Sequence, residues 1–295
     1  MRARGYMAVA ATIILWAWAV VFIKILSFFL DPVTQNFYRY LSATMFLYVL
    51  SGIRHERGGR VPSIITLVLP ATFVFLFQMF TVYGLYLTSP TVAALIMRTN
   101  AIFVNIMAYI LVKEERAIIS SKMFVVGLLL GLIGAMGLTA CEGGDVGGIS
   151  LDVGALLILA GTLFWASYVI SIRILVKEAE PLKLTTRVFT LASSFFLPAV
   201  LLAGDVYRPL RLSWEINLLL LGSGVLCVGL GNFMNYIALK ELGASVTSSL
   251  QLLIPLFTGI FSYITLGERL SLLHMMFGAM LLVGCGLILK ATTYR

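Results

Sequence analysis

Charge is what this sequence has least of. Only 12% of its 295 residues are Asp, Glu, Lys or Arg, while 60% are hydrophobic and the mean hydropathy is +1.02. Soluble domains carry about 25% charged residues, so a water-soluble globule is excluded. At about 20 apolar residues per span plus short loops, the length holds roughly ten helices and no separate soluble domain. The apolar runs are continuous rather than alternating, which argues against a transmembrane β-barrel. Cysteine is equally scarce. Cys141, Cys227 and Cys285 lie far apart, two of them inside apolar runs, so they form neither a disulfide framework nor a metal-ligand spacing. Histidine is limited to His55 and His274. The chain has no paired His-Glu motif, no nucleophile elbow and no phosphate loop. An enzyme is therefore not expected, and neither are catalytic residues, a bound metal or a cofactor.

Carboxylates are missing where they would matter most. No Asp or Glu falls in the middle of an apolar run, and Glu115, Glu215 and Glu268 all stand near the ends of runs. An exporter in which a proton and a cationic drug compete for an intramembrane carboxylate finds no such group here. His274, one turn inside the last run, is the one remaining relay candidate. Facilitated diffusion or exchange of an anionic or zwitterionic solute fits better.

The apolar runs predict an all-α membrane protein of ten transmembrane helices. The spans are expected at about 6–27, 33–50, 63–87, 91–112, 122–140, 153–175, 181–203, 214–239, 244–266 and 271–290. Asp31-Pro32 makes a turn, a polar loop follows at 51–61, and the glycine-rich acidic stretch 142–152 reads as a linker. Lysine and arginine then decide orientation. With the N-terminus inside, Arg54, Arg57, Arg60, Lys113, Arg116, Lys122, Arg173 and Lys177 are among the inner charges, and only Lys24, Arg208, Arg211 and Arg269 fall outside. Both termini are thus expected in the cytoplasm of a cell-membrane protein. This bias accounts for most of the net charge of +8, so the lipid bilayer is the expected partner and no nucleic acid is needed.

The two halves repeat. An offset of 149 brings Trp16-Ala17 onto Trp165-Ala166, Lys24-Ile25-Leu26 onto Arg173-Ile174-Leu175, and Asp31-Pro32 onto Glu180-Pro181. An offset of 153 places Tyr83 on Tyr236 and Glu115-Arg116 on Glu268-Arg269. Two five-helix units, 1–141 and 153–295, follow from this. Because five is odd, the second copy enters the membrane from the opposite side. Inverted repeats of this kind recur in secondary transporters, where the substrate site lies near the midplane and access to it alternates. A channel or scaffold would not need them.

These residues also resemble a known family. The Trp-Ala pair in the first helix of each half, Asp31-Pro32 before a helix bearing Arg39, and Leu266-Gly267-Glu268-Arg269 after Ile254-Pro255-Leu256 resemble the drug/metabolite transporter superfamily, specifically its EamA-type members. The first half departs from the pattern, with Ile102 where the second has Pro255 and Glu114 where it has Gly267. The resemblance implies a ten-helix transporter of small metabolites, often an exporter of amino acids or related compounds, with the third, fourth, eighth and ninth helices around a central cavity.

Arg98 is the leading candidate for substrate binding. A guanidinium does not lose its proton in a protein, and this one sits roughly two turns inside the fourth span. Charged side chains at that depth face a bundle interior or a watery cavity, although snorkelling to the interface is the alternative. Gln251 falls on Arg98 at the 153 offset, so the pseudo-axis puts the two in corresponding places. Asn100, Tyr83, Tyr236, Asn235 and Arg39 complete the candidate set. Asn100, Asn105, Asn232 and Asn235 have helix-to-helix hydrogen bonding as their ordinary alternative. Arg39 has pairing with carbonyls or with Asp31 as its own. Trp16, Trp165 and Tyr168 read as core, and the glycines at 127, 131, 134, 222, 224, 229 and 231 read as points of close helix approach. The expected substrate is a small carboxylate-bearing solute, an amino acid or a relative. A multidrug or other organic-solute exporter and a phosphorylated-metabolite exchanger are the alternatives, and the sequence leaves monomer and homodimer equally open.

Overall fold

The computed structural model describes residues 2–53, 62–88, 90–142, 152–266 and 271–293. Most of the expected 51–61 loop, most of the acidic linker and the Gly267-Glu268-Arg269 element lie outside the described residues. So does His55.

In lipid every backbone N–H and C=O must be satisfied within the segment, so long apolar runs become helices. In order these are α1 (Arg2–Leu26), α2 (Pro32–Ile53), α3 (Ile64–Leu87), α4 (Pro90–Arg98), α5 (Asn100–Leu111), the short α6 (Arg116–Ile119), α7 (Lys122–Glu142), α8 (Val153–Leu175), α9 (Pro181–Ala203), α10 (Trp214–Ser223), α11 (Gly231–Leu242), α12 (Ala244–Leu250), α13 (Ile254–Leu266) and α14 (Leu272–Thr293). A π-helical stretch, Gly224–Leu230, joins α10 to α11, and a 3₁₀ turn, Gln251–Leu253, joins α12 to α13. No strand occurs among the described residues. Nine stretches of the described residues are long and apolar enough to cross a membrane. The tenth expected span is α2, whose 22 residues include Gln35, Asn36 and Arg39 and are less apolar. Large apolar side chains such as Ile65, Leu202 and Leu272 are more than four-fifths exposed, a surface suited to lipid and not to water.

Prolines and short acids set the turns. Asp31 Oδ1 accepts from the N–H groups of Val33 (3.0 Å) and Thr34 (2.9 Å), capping α2 behind Pro32. Glu180 precedes Pro181 at the matching start of α9 but makes no such bond. Asp152 Oδ1 caps α8 through the Ala155 N–H at 2.7 Å.

The helices gather into two compact units, Met1–Leu76 with Ser171–Glu241, and Phe77–Ile170 with Leu242–Arg295. Each draws on both sequence repeats, and the division falls inside α3 and α8. In the first unit α2 packs on α9 and on the π-helical stretch. Tyr40 stacks on Phe189 with centroids 5.4 Å apart and meets Phe196 at 4.6 Å. Thr44 and Ser193 join their hydroxyls at 2.9 Å. The backbones come very close at Gly224, where an added Cβ would lie 2.5 Å from the Arg39 carbonyl oxygen. Arg173 Nη1 donates to the carbonyls of Leu239 (3.0 Å) and Lys240 (3.2 Å), a cation on the last turn of α11.

In the second unit α7 lies along α14. An added Cβ on Gly127 would sit 2.7 Å from the Gly284 carbonyl oxygen, and one on Gly134 would sit 2.7 Å from the Leu281 nitrogen. The expectation of close approach therefore holds there, whereas Gly222 has nothing within 4 Å. Phe77, Trp165 and Tyr168 form an aromatic chain at 4.8 and 5.4 Å. Trp165 and Tyr168 are buried, as a core reading requires.

Candidate functional site

The fourth and ninth spans are both interrupted. Helix α4 ends at Arg98 and α5 begins at Asn100, while α12 ends at Leu250 and gives way to the turn that starts with Gln251. At the 153 offset Arg98 and Gln251 correspond, so the breaks fall at equivalent points of the repeat to within a residue. Their backbones also match: Thr99 has φ −67° and ψ −12°, and Gln251 has φ −65° and ψ −11°.

The causes differ. Pro255 has no N–H to return to the Gln251 carbonyl four residues earlier, and that carbonyl accepts instead from the Ile254 N–H in a tighter 3₁₀ bond. In the first half Ile102 occupies the proline position. There Thr99 makes the break, its Oγ1 donating to the Ile96 carbonyl at 2.6 Å and its N–H donating to the same oxygen at 3.0 Å. A hydroxyl bonded to nearby backbone competes with the α-helical ladder.

The second unit thus holds Arg98 as the last residue of α4, Asn100 as the first of α5, Gln251 at the head of the 3₁₀ turn, and Tyr83 on α3. Arg98 and Asn100 are half-buried, Gln251 is buried and Tyr83 is 44% exposed. Helix α4 and the turn of Gln251 both pack on α7, and α5 packs on α12. Asn105 Nδ2 joins that last pair by donating to Ser249 Oγ at 3.1 Å, the helix-to-helix role expected of it. Arg98 also places a cation at the negative end of the α4 dipole. The first unit holds Arg39 on α2 and Asn235 and Tyr236 on α11, all three buried. Asp31 is occupied as the α2 cap. Asn232 bonds back to the adjoining π-helical stretch of the same span, donating to the Val228 carbonyl at 2.9 Å.

Two features had no expectation attached. Glu115, buried, accepts from the N–H groups of Ala244 (2.9 Å) and Ser245 (2.8 Å) and from Ser245 Oγ (2.7 Å). It therefore caps α12 from 129 residues away. The π-helical stretch is held from α1, where Trp16 Nε1 donates to the Cys227 carbonyl at 3.1 Å and Thr12 Oγ1 to that of Gly231 at 3.4 Å. An apolar cavity of about 290 Å³ in the second unit is lined by Leu138, Pro255, Ile260, Gly278 and Leu282 among others, and none of the candidate site residues lines it. His274 borders it, with Nδ1 3.1 Å from the Ser271 N–H that donates to it. Among the described residues no group of three His, Cys, Asp or Glu side chains is placed to hold a metal ion.

The chain is similar to known proteins. An uncharacterized transporter of Archaeoglobus fulgidus is 27% identical over 273 residues, covering 91% of both chains. Another from Methanothermobacter thermautotrophicus is 26% identical over 301 residues, covering 96% of this chain and 85% of its own. A third, from Bacillus subtilis, is 28% identical over 245 residues, covering 80% and 77%. One solved crystal structure superposes with a TM-score of 0.84 over the whole of both chains at 16% identity, a likeness of fold alone. The pattern of the EamA-like transporter family matches twice, at residues 3–140 and 152–290. With its apolar helices and two-repeat architecture, this chain is a multi-pass membrane protein that belongs to the EamA-like transporter family and has a membrane transporter's role.

Proposed function

We propose that this transporter carries small carboxylate-bearing solutes, amino acids or close relatives, across the cell membrane by alternating access. Arg98 binds the carboxylate and Gln251 stands at the equivalent place in the other repeat. The observation that carries this reading is the paired interruption of the fourth and ninth spans at those two residues. Here each interruption is a single tightened turn of right-handed helical backbone, a milder form of the discontinuous helices that line substrate sites in secondary transporters. An arginine fork takes a carboxylate by two parallel charge-assisted bonds. Such a contact is worth about 1.5–3 kcal/mol, on the order of tenfold to a hundredfold in affinity. Asn100, Tyr83, Asn235 and Tyr236 are proposed to supply the neutral polar contacts. Both termini face the cytoplasm in this reading.

The test is a thermal-shift screen of amino acids, organic acids, phosphorylated sugars and cationic drugs on wild type and Arg98→Gln. A carboxylate solute should stabilise the wild type and lose about tenfold or more in affinity in the variant, with Arg98→Lys recovering part. Stabilisation by cationic drugs that ignores Arg98 would instead favour a multidrug exporter.

A further inference from the structure

Arg39 is the most deeply buried arginine for which the first unit provides no counter-charge. It is 3% exposed, and its Nε has no hydrogen-bond partner among the described residues. The titratable groups that act on it electrostatically are the Cys227 thiol and the Tyr40 phenol, both neutral when protonated. Asp31, the acid expected to pair with it, spends its oxygens on the α2 cap and on the Asp205 N–H.

One turn earlier on the same face of α2, Gln35 is 4% exposed, and its Nε2 is likewise without a partner among the described residues. Residues four apart on a helix are stacked neighbours. Two buried donors, Arg39 Nε on a permanently charged group and Gln35 Nε2, therefore stand one turn apart, neither with a partner among the described residues. The carbonyls of Cys227 in the π-helical stretch and of Gly231 at the start of α11 accept from α1 and from neither of these donors. Nor is there room for a large group, since the backbones meet closely at Gly224. Ser42 Oγ donates to the Arg39 carbonyl at 3.1 Å and accepts from neither Arg39 Nε nor Gln35 Nε2. A buried guanidinium cannot neutralise itself by losing a proton, and leaving it uncompensated in low dielectric is costly.

We infer that Arg39 and Gln35 form a binding site for a small monovalent anion, a halide or the carboxylate group of a small acid, built within the first unit. The bound anion accepts from both side chains and neutralises Arg39 between α2 and the π-helical stretch. A segment of this kind is often found where a helix has been adapted to function. The site does not depend on which solute Arg98 binds.

The experiment follows thermal unfolding of the purified full chain in detergent while chloride, formate or acetate replaces methanesulfonate at constant ionic strength. Wild type should melt a few degrees higher per tenfold increase in the occupying anion once the site is saturated. Chloride alone would support the site and name a halide, and formate and acetate alone would support it and name a carboxylate. Arg98→Gln should keep this dependence, and in that background Arg39→Gln should fold and lose it while Gln35→Leu should weaken it roughly tenfold. A bromide-soaked crystal of the wild type should show anomalous density beside Arg39 and Gln35, whichever variants express. Unfolding that ignores all three anions, dependence that is abolished by Arg98→Gln or that survives Arg39→Gln in the Arg98→Gln background, or bromide bound only elsewhere would overturn the inference.

Discussion

Replacing Glu115 by Ala should be among the most damaging single changes outside the apolar core. Its carboxylate takes two backbone N–H groups and one hydroxyl at the start of α12, all within 2.9 Å and all buried. The Ser245 hydroxyl can turn to another acceptor, but the N–H groups of Ala244 and Ser245 cannot. Leaving each without a partner costs about 1–3 kcal/mol, so Glu115→Ala should lose about 2–6 kcal/mol. Glu115→Gln keeps one acceptor and should lose about half of that. Gly243 adds a second handle. It has φ +92°, and a Cβ there would lie 2.7 Å from Glu115 Oε1, so Gly243→Ala should cost at least about 1 kcal/mol from backbone strain alone. Thermal unfolding in detergent, followed by tryptophan fluorescence, measures the series. A double-mutant cycle isolates the contact: Ser245→Ala should cost about 1–2 kcal/mol in the wild type and almost nothing in Glu115→Ala. Equal melting temperatures for wild type and Glu115→Ala, or an undiminished cost of Ser245→Ala in that background, would refute the reasoning.

The close crossing of α7 and α14 makes Gly127→Ala and Gly134→Ala each destabilising by about 1–3 kcal/mol. Gly131→Ala should be tolerated, because its Cβ would meet only the methyl ends of Leu252 at 3.4 Å and Leu281 at 3.9 Å; the same unfolding assay checks all three. Asn105→Ala should cost about 0.6 kcal/mol, the ordinary worth of an interhelical bond in a membrane, and a loss of several kcal/mol would contradict the simple Asn105–Ser249 contact. For orientation, a cysteine at Arg211 should react with a membrane-impermeant maleimide on intact cells while one at Lys177 should not, in a background where the three natural cysteines are replaced by serine. The reverse labelling would invert the topology.

The span limits were largely legible in the sequence because turn chemistry marks them. The expected limits 153–175 and 181–203 coincide with α8 and α9, where Asp152 and Pro181 start the helices. The interior of the spans was less legible. Pro255 announces the break at Gln251, but Thr99 sits in an apolar run like any other threonine, and only the bond from its hydroxyl to Ile96 reveals the matching break. The π-helical stretch depends on Trp16 reaching the Cys227 carbonyl from another helix, a tertiary fact with no local signature. Glu115 looked like one of a group of terminal charges for the same reason, since its partners lie 129 and 130 residues on. The duplication was visible as paired motifs, while the gathering of the helices into two units that each mix both repeats was not.

The central claim, a carrier that recognises a carboxylate through Arg98, is tested most directly by counterflow in proteoliposomes. Amino acids and small organic acids are compared with their methyl esters and amides, for wild type and for Arg98→Gln. The account predicts saturable counterflow of at least one carboxylate, lost on esterification and half-saturating at about tenfold to a hundredfold higher concentration in Arg98→Gln. Equal counterflow of acid and ester, unchanged by Arg98→Gln, would contradict it.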